Sequence, residues 1–294
     1  MLRYNTKKDS YKFLKKDVDS FINVGLQVTR RCNLQCVHCC EPDQIKELSL
    51  VEIKNVIDEL SKGGLKKICI TGGEPFLRND LDEITKYATE KGMFVTLSTN
   101  GFILNDLRLL NVKPYINNIR FSLHGTEKNH NEVVQNKNGF KKVMDSIQLS
   151  NKLGVPVSVV ASIFAKNYSD MIDIARICER QGVEKLYFFS LISRGRAYES
   201  YDKEYVPFEK IKDTFKRIKE IAKEESWNLD MNIIDWSLEG QCVLVFPDGS
   251  LAGVPSFKDK DNTNIVGNIL KENMRSLWDK YQFKNNYINY YKNH

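Results

Sequence analysis

Six times before residue 200 the chain alternates a short β-branched run with a helical one. VGLQVT (24–29) reads as a strand and SLVEIKNVIDELSKGG (49–64) as a helix that stops at its glycines. KKICIT (66–71) is a strand, and NDLDEITKYATEKG (79–92) a helix with Asn79 as its N-cap. MFVTLSTN (93–100) with a short helix over DLRLL, then NIRFSLHG (118–125) with KNGFKKVMDSIQLSNKLG (137–154), repeat the pattern. PVSVVASIF, SDMIDIARICERQG and KLYFFSLIS (185–193) complete it. Strands joined by helical crossovers run parallel. Six units are two short of a closed eightfold barrel. The expected fold is therefore α/β, a partial (β/α)6 barrel over residues 24–229.

After the helix at 206–227 the pattern changes. LDMNII is followed by VLVFPDGSLAGV, two β runs around a Pro-Asp-Gly turn, which is a hairpin signal. We place a boundary near residue 230 and expect a small α+β extension over 230–294, with a tail, FKNNYINYYKNH, that frays. Residues 1–23 form an N-terminal extension, polar and lysine-rich, without the apolar core of a signal peptide. No apolar run approaches the roughly 20 residues of a membrane helix. Net charge is +6, but the lysines are scattered over helices and read as a solvated surface. No nucleic-acid motif and no membrane segment is found, and a cytoplasmic protein is expected.

Four of the seven cysteines, Cys32, Cys36, Cys39 and Cys40, fall within TRRCNLQCVHCCEP (29–42). In a reducing compartment such clustering suggests metal binding or catalysis rather than disulfides. The C-x3-C-x2-C spacing of Cys32, Cys36 and Cys39 would also suit one helix face. Yet three cysteines pack no better than leucines, and the segment directly follows a strand. Structural zinc prefers four ligands in two separated pairs. Thiolates crowded on one loop suit an iron–sulfur cluster better. Three ligands for four irons leave one iron open, the mark of chemistry rather than scaffolding.

A second motif, ITGGEPFLRND (70–80), closes the second strand. Gly72 and Gly73 permit a sharp turn and close approach to a ligand, and Glu74 brings a carboxylate suited to an ammonium group. Alone it is an ordinary turn. Parallel barrels do, however, build their sites at this end of their strands.

Together these stretches resemble the radical S-adenosylmethionine enzymes. VTRRCNLQCVHC, TGGEP, LSTNG (97–101) and FSLHG (121–125) follow successive strands in the family's order. NGFKKVMDSI, Asn167 and RGRA (194–197) continue it, so the likeness spans roughly residues 22–200. The resemblance implies that Cys32, Cys36 and Cys39 ligate a 4Fe-4S cluster whose open iron is chelated by S-adenosylmethionine. Glu74 and the backbone at Gly72 and Gly73 would meet its amino group. Ser98, Asn100 and Ser122 are candidates for its carboxylate and ribose, and His38 would lie near the adenine. Reductive cleavage to a 5′-deoxyadenosyl radical, fed by an electron donor such as a flavodoxin or ferredoxin, is the implied chemistry. Arg196 is open to two readings, a carboxylate partner or a surface salt bridge. Cys40 reads as a small buried residue or an alternative ligand, and Cys69 and Cys178 read as core.

Residues 237–281 resemble the SPASM/twitch extension of radical enzymes. PDG (247–249), Gly267-Asn268 and Trp278 are present, but Ser237 and Ser256 stand where cluster cysteines fall. Serine is a poor ligand for iron, so the extension reads as degenerate, without auxiliary clusters. Cys242 alone remains there. It is either a buried strand residue or a hydrogen-atom donor of the kind radical epimerases use.

The leading expectation is a radical enzyme acting on a peptide or peptide-derived natural product, by epimerisation or cross-linking. With about 23 residues before the first strand, no separate leader-binding domain is expected there. The alternatives are an epimerase or dehydrogenase of a sugar or other small metabolite, and a non-catalytic metal-binding module.

Overall fold

The computed structural model describes residues 20–40, 46–256 and 264–293; most of the N-terminal extension lies outside the described residues. In chain order the elements are β1 (Asn23–Gln27), α1 (Leu50–Lys62), β2 (Lys67–Thr71), α2 (Leu81–Glu90), β3 (Phe94–Thr99), α3 (Asp106–Val112), β4 (Asn118–Ser122), α4 (Glu127–Val134) and α5 (Gly139–Lys152). They continue with β5 (Val157–Ile163), α6 (Met171–Arg180), β6 (Lys185–Ser190), α7 (Tyr201–Glu204), α8 (Phe208–Glu224) and β7 (Asp230–Ile234). Last come β8 (Cys242–Val245), β9 (Ser250–Val254), β10 (Asn264–Asn268), α9 (Met274–Lys280) and α10 (Lys284–Asn293).

One sheet holds every strand, in the order β10-β9-β8-β1-β2-β3-β4-β5-β6-β7. β1 to β6 pair in parallel, as six strand–helix units require. Two features extend that frame. LDMNII, assigned by pattern to the region after residue 230, is β7 and pairs in parallel with β6. At the other edge β8 pairs in parallel with β1 and turns antiparallel into β9 through the expected Pro-Asp-Gly hairpin. The sheet is not closed, because its edge strands, β7 and β10, do not pair.

Local chemistry explains the boundaries. Ser49 caps α1 in a reciprocal box with Glu52, and Gly63 ends the helix. α2 is capped at Asp80, not at Asn79, and Asp80 makes no side-chain cap bond because the Arg78 guanidinium takes its carboxylate at 2.8 and 2.7 Å. α4, which the strand–helix pattern passes over, is a short helix ending at Gln135 in the left-handed region.

Burial alternates along the strands. Residues under the helices, such as Ile68, Val95, Ile119 and Leu186, are buried. Their neighbours face a lumen and are only partly covered. Small or polar side chains there (Gly25, Ser98, Ser122, Ser158) leave a cavity of about 1310 Å³ inside the barrel. A packed barrel core would instead carry bulky branched residues in these layers.

As far as Tyr291 the tail is docked against the barrel. α10 touches both the segment that follows β7 and the start of β8. The buried Tyr287 hydroxyl accepts from the amides of Ile22 (2.9 Å) and Asn23 (3.0 Å) and donates to the Asn23 carbonyl (2.9 Å). Tyr290 stacks on Trp236, just past β7, with centroids 5.7 Å apart. The Tyr291 hydroxyl reaches Cys242 Sγ, at the start of β8, at 3.8 Å. Phe21 seats edge-on against Trp278 of α9 at 4.9 Å, so the chain's two described ends share one aromatic cluster.

Candidate active site

The cysteine segment leaves β1 at the C-terminal end of the sheet and is held there by segments that follow β2, β3, β4 and β6. The Gly73 amide donates to the Thr29 carbonyl and the Glu74 amide to the Arg31 carbonyl, each at 2.8 Å. A Cβ on Gly72 would strike the Thr29 carbonyl, and one on Gly73 the carbonyls of Arg30 and Arg31. The glycine pair is thus required first for backbone-to-backbone docking of the two loops. The Val37 amide donates to the Val133 carbonyl (2.9 Å), and the Arg196 amide to the Cys39 carbonyl (2.9 Å). Asn100 Nδ2 donates to Asn33 Oδ1 (2.9 Å) and approaches Cys32 Sγ at 3.8 Å.

Arg196, read from sequence as a carboxylate partner or a surface salt bridge, makes a contact within the fold. Its Nε donates to the Cys36 carbonyl at 2.8 Å, clamping the cysteine loop from β6. Gly195 beside it has φ +58°, and a Cβ there would meet Cys39 and Cys40 backbone.

Cys32, Cys36, Cys39, His38, Gly72, Gly73, Ser98, Asn100 and Ser122 all line the cavity. Glu74 does not. It is wholly buried behind the wall, and its carboxylate accepts from the Phe76 amide (3.1 Å), the Thr99 hydroxyl (2.9 Å) and the Asn100 amide (2.8 Å). In this arrangement Glu74 ties the loop after β2 to the loop after β3. Burial pushes its carboxyl up to about 7 against these donors. From its ordinary value to about pH 7, the folded chain keeps a proton that the unfolded chain has lost. This group's contribution to stability therefore declines as pH rises through that window. Glu74→Gln cannot titrate and is expected to flatten the decline. Denaturant midpoints across the window test this, and an unchanged slope would refute it.

Burial, with Cys39 and Cys32 close by, pushes the Cys36 thiol up to about 12; burial also raises Cys32. Ionised thiols at this loop therefore call for a positive partner. Among the described residues no three His, Cys, Asp or Glu side chains are placed to hold a single metal ion. His38 packs edge-on to His124 (4.2 Å) and over Phe164 (5.5 Å). Burial, then Arg196, brings its imidazole down to about 4, so it stays neutral.

A family model described as the Radical SAM superfamily matches residues 26–186, more than half of the chain. The chain belongs to the radical SAM superfamily. That family's cofactors are a 4Fe-4S cluster and S-adenosylmethionine, and the donor set just described fits them. The chain is 32% identical over 202 residues to the Fe-coproporphyrin III synthase of Methanosarcina barkeri, covering 66% of this chain and 51% of that protein. It is 27% identical over 229 residues to the sporulation killing factor maturation protein SkfB of Bacillus subtilis, covering 76% and 55%. It spans about half the length of these curated relatives. The solved structure of Streptococcus suis SuiB bound to S-adenosylmethionine shares the fold, with a TM-score of 0.75 at 13% identity over 88% of this chain and 66% of that one.

Three further findings stand outside the radical SAM motifs. Cys69, read as core, faces the lumen, whereas Cys178 is buried under α6 as expected. Cys242 also faces the lumen, beside Tyr290 and Tyr291. Arg120 of β4 enters the lumen as well. The period-2 pattern of NIRFS, polar at alternate positions, was the available signal for it.

Proposed function

We propose that this chain is a radical S-adenosylmethionine enzyme that takes a hydrogen atom from a peptide or peptide-derived substrate held in the barrel lumen. Cys32, Cys36 and Cys39 hold the cluster. Gly72, Gly73, Ser98, Asn100, Ser122 and His38 contact S-adenosylmethionine, while Glu74 positions two of those loops from behind. Bound together, the two cofactors supply one electron and a primary carbon radical able to remove a substrate hydrogen. The chain's own work is to fix that chemistry at one end of the lumen and to keep bulk water from it. All seven cysteines are free thiols, which fits work in the reducing cytoplasm. No helix among the described residues is long and apolar enough to cross a membrane.

The peptide reading is carried by the likeness to SkfB, a maturation protein, over 229 residues, well beyond the family core. The small-metabolite reading has its own support in the Fe-coproporphyrin III synthase likeness. Incubating the reduced, cluster-loaded protein with S-adenosylmethionine and a peptide encoded beside its gene separates them. Acceleration of 5′-deoxyadenosine release and a mass change (zero with inversion, loss of two hydrogens, or addition) support the peptide reading. No acceleration by such peptides overturns it.

Cys242 is proposed to close the reaction. In the register Gly25 with Leu244, β8 runs beside β1, so Cys242 lies level with Asn23. The cysteine loop departs beyond Gln27, roughly 13 Å further along the strand direction. A substrate lying between them meets the radical from one side and the thiol from the other. Burial holds the Cys242 thiol up at about 12, so the sulfur keeps its hydrogen. Donating that hydrogen to a substrate carbon radical leaves a sulfur radical, which one electron from the external donor and one proton restore.

A further inference from the structure

Arg120 sits in the middle of β4, flanked across the ladder by Ser98 and Ser158. Those short hydroxyl side chains leave room for its own to extend into the lumen. The guanidinium carbon stands 5.3 Å from the centroid of the Tyr187 ring. The thiol of Cys69 and the phenols of Tyr290 and Tyr291 are within electrostatic reach. None of these neighbours carries a full negative charge at neutral pH. Among the described residues Arg120 makes no ion pair and no hydrogen bond, and its Nε is buried without a partner.

The charge around it has the same sign. Arg30, Arg31, Lys66, Lys67, Lys185, Arg194 and Arg196 also line the cavity, against one acid, Glu184. Lys185 has a partner in Asp230 (3.8 Å) and Arg31 in Glu47 (3.1 Å). An unpaired guanidinium inside a barrel is costly to stability unless something else repays it. A purely structural arginine would have been met by a carboxylate of the fold.

We propose that Arg120 is a substrate-binding residue, anchoring a single carboxylate of the substrate in mid-lumen, between the cysteine loop and Cys242. The Tyr187 ring covers one face of the guanidinium, so its edge donors remain for a planar, two-pronged partner. One guanidinium balances one carboxylate. For a peptide, the group is an Asp or Glu side chain or the terminal carboxylate. This assignment deepens the proposed function and rests on it.

The test uses cluster-loaded protein, titrated calorimetrically with N-acetyl-glutamate N-methylamide and with its neutral glutamine counterpart. The acid is expected to bind the wild type at least about tenfold more tightly than the amide, and Arg120→Gln to erase that preference. Equal binding of the two by wild type overturns the proposal, as does a preference that survives in the variant. Titration with S-adenosylmethionine is the second arm. A tenfold loss in Arg120→Gln would assign the guanidinium to the cofactor's own carboxylate and overturn the substrate assignment. Arg120→Met, without ligand, is expected to melt no lower than wild type; a clear fall in melting temperature would make Arg120 a structural brace. The proposed function is tested separately, by 5′-deoxyadenosine formation in the wild type alone. Its failure would leave the carboxylate titrations readable.

Discussion

Replacing Cys32, Cys36 or Cys39 singly by Ala is expected to abolish both iron retention and reductive cleavage of S-adenosylmethionine. Wild-type protein reconstituted without oxygen should carry about four irons, the content of one cubane; each variant should fall to a small fraction of that. The three thiols come from one loop of eight residues. Cys40→Ala should keep the iron, because its neighbourhood is shaped by the Gly195 backbone packed against it. Iron content and 5′-deoxyadenosine are the two readouts. Tightly held zinc with no cleavage would sink the radical chemistry, and loss of iron in Cys40→Ala would reassign the ligands.

The second large effect is expected at Cys242. Cys242→Ala should still release 5′-deoxyadenosine, because cleavage precedes any quench, but should lose the inverted product if the reaction is an epimerisation. Cys242→Ser should fail in the same way, since an O–H bond is too strong to give its hydrogen to carbon. Turnover in deuterated water should place one deuterium on the inverted carbon, because the thiol proton exchanges with solvent. A fully active Cys242→Ser would reduce the residue to packing against Tyr291.

Much of this architecture can be read from residue order, and the misses have physical causes. KICIT and FVTLST declare themselves because strand type follows from β-branching and alternation, which are local. The pairing of β7 is not legible, because LDMNII precedes a hairpin and nothing local says that it pairs with β6 rather than with the hairpin strands. Asn79 lost the cap to Asp80 through the neighbouring Arg78, a tertiary contest for one carboxylate. The Asn- and Tyr-rich tail looked loose because its partners, Ile22 and Asn23, lie more than 260 residues away. At the site, the cysteines and glycines were legible as types at fixed spacing. Which way Glu74 points was not, since that depends on Thr99 and Asn100 arriving from another strand.

Tyr287 makes the completion of the barrel a matter of timing. Its hydroxyl joins the first strand to the last helix across 265 residues. On a ribosome, then, a chain that has already laid down β1 through β10 still lacks the Tyr290 and Tyr291 side chains that line the lumen. The amides of Ile22 and Asn23 lack their final partner, and the thiols of Cys69 and Cys242 stand beside an unfilled gap. Contacts of such sequence separation form late and slowly. Sheltering of the chamber therefore follows the synthesis of every motif that builds the site, and truncation a few residues before Tyr287 would leave those motifs in place around a chamber without the Tyr290 and Tyr291 part of its wall.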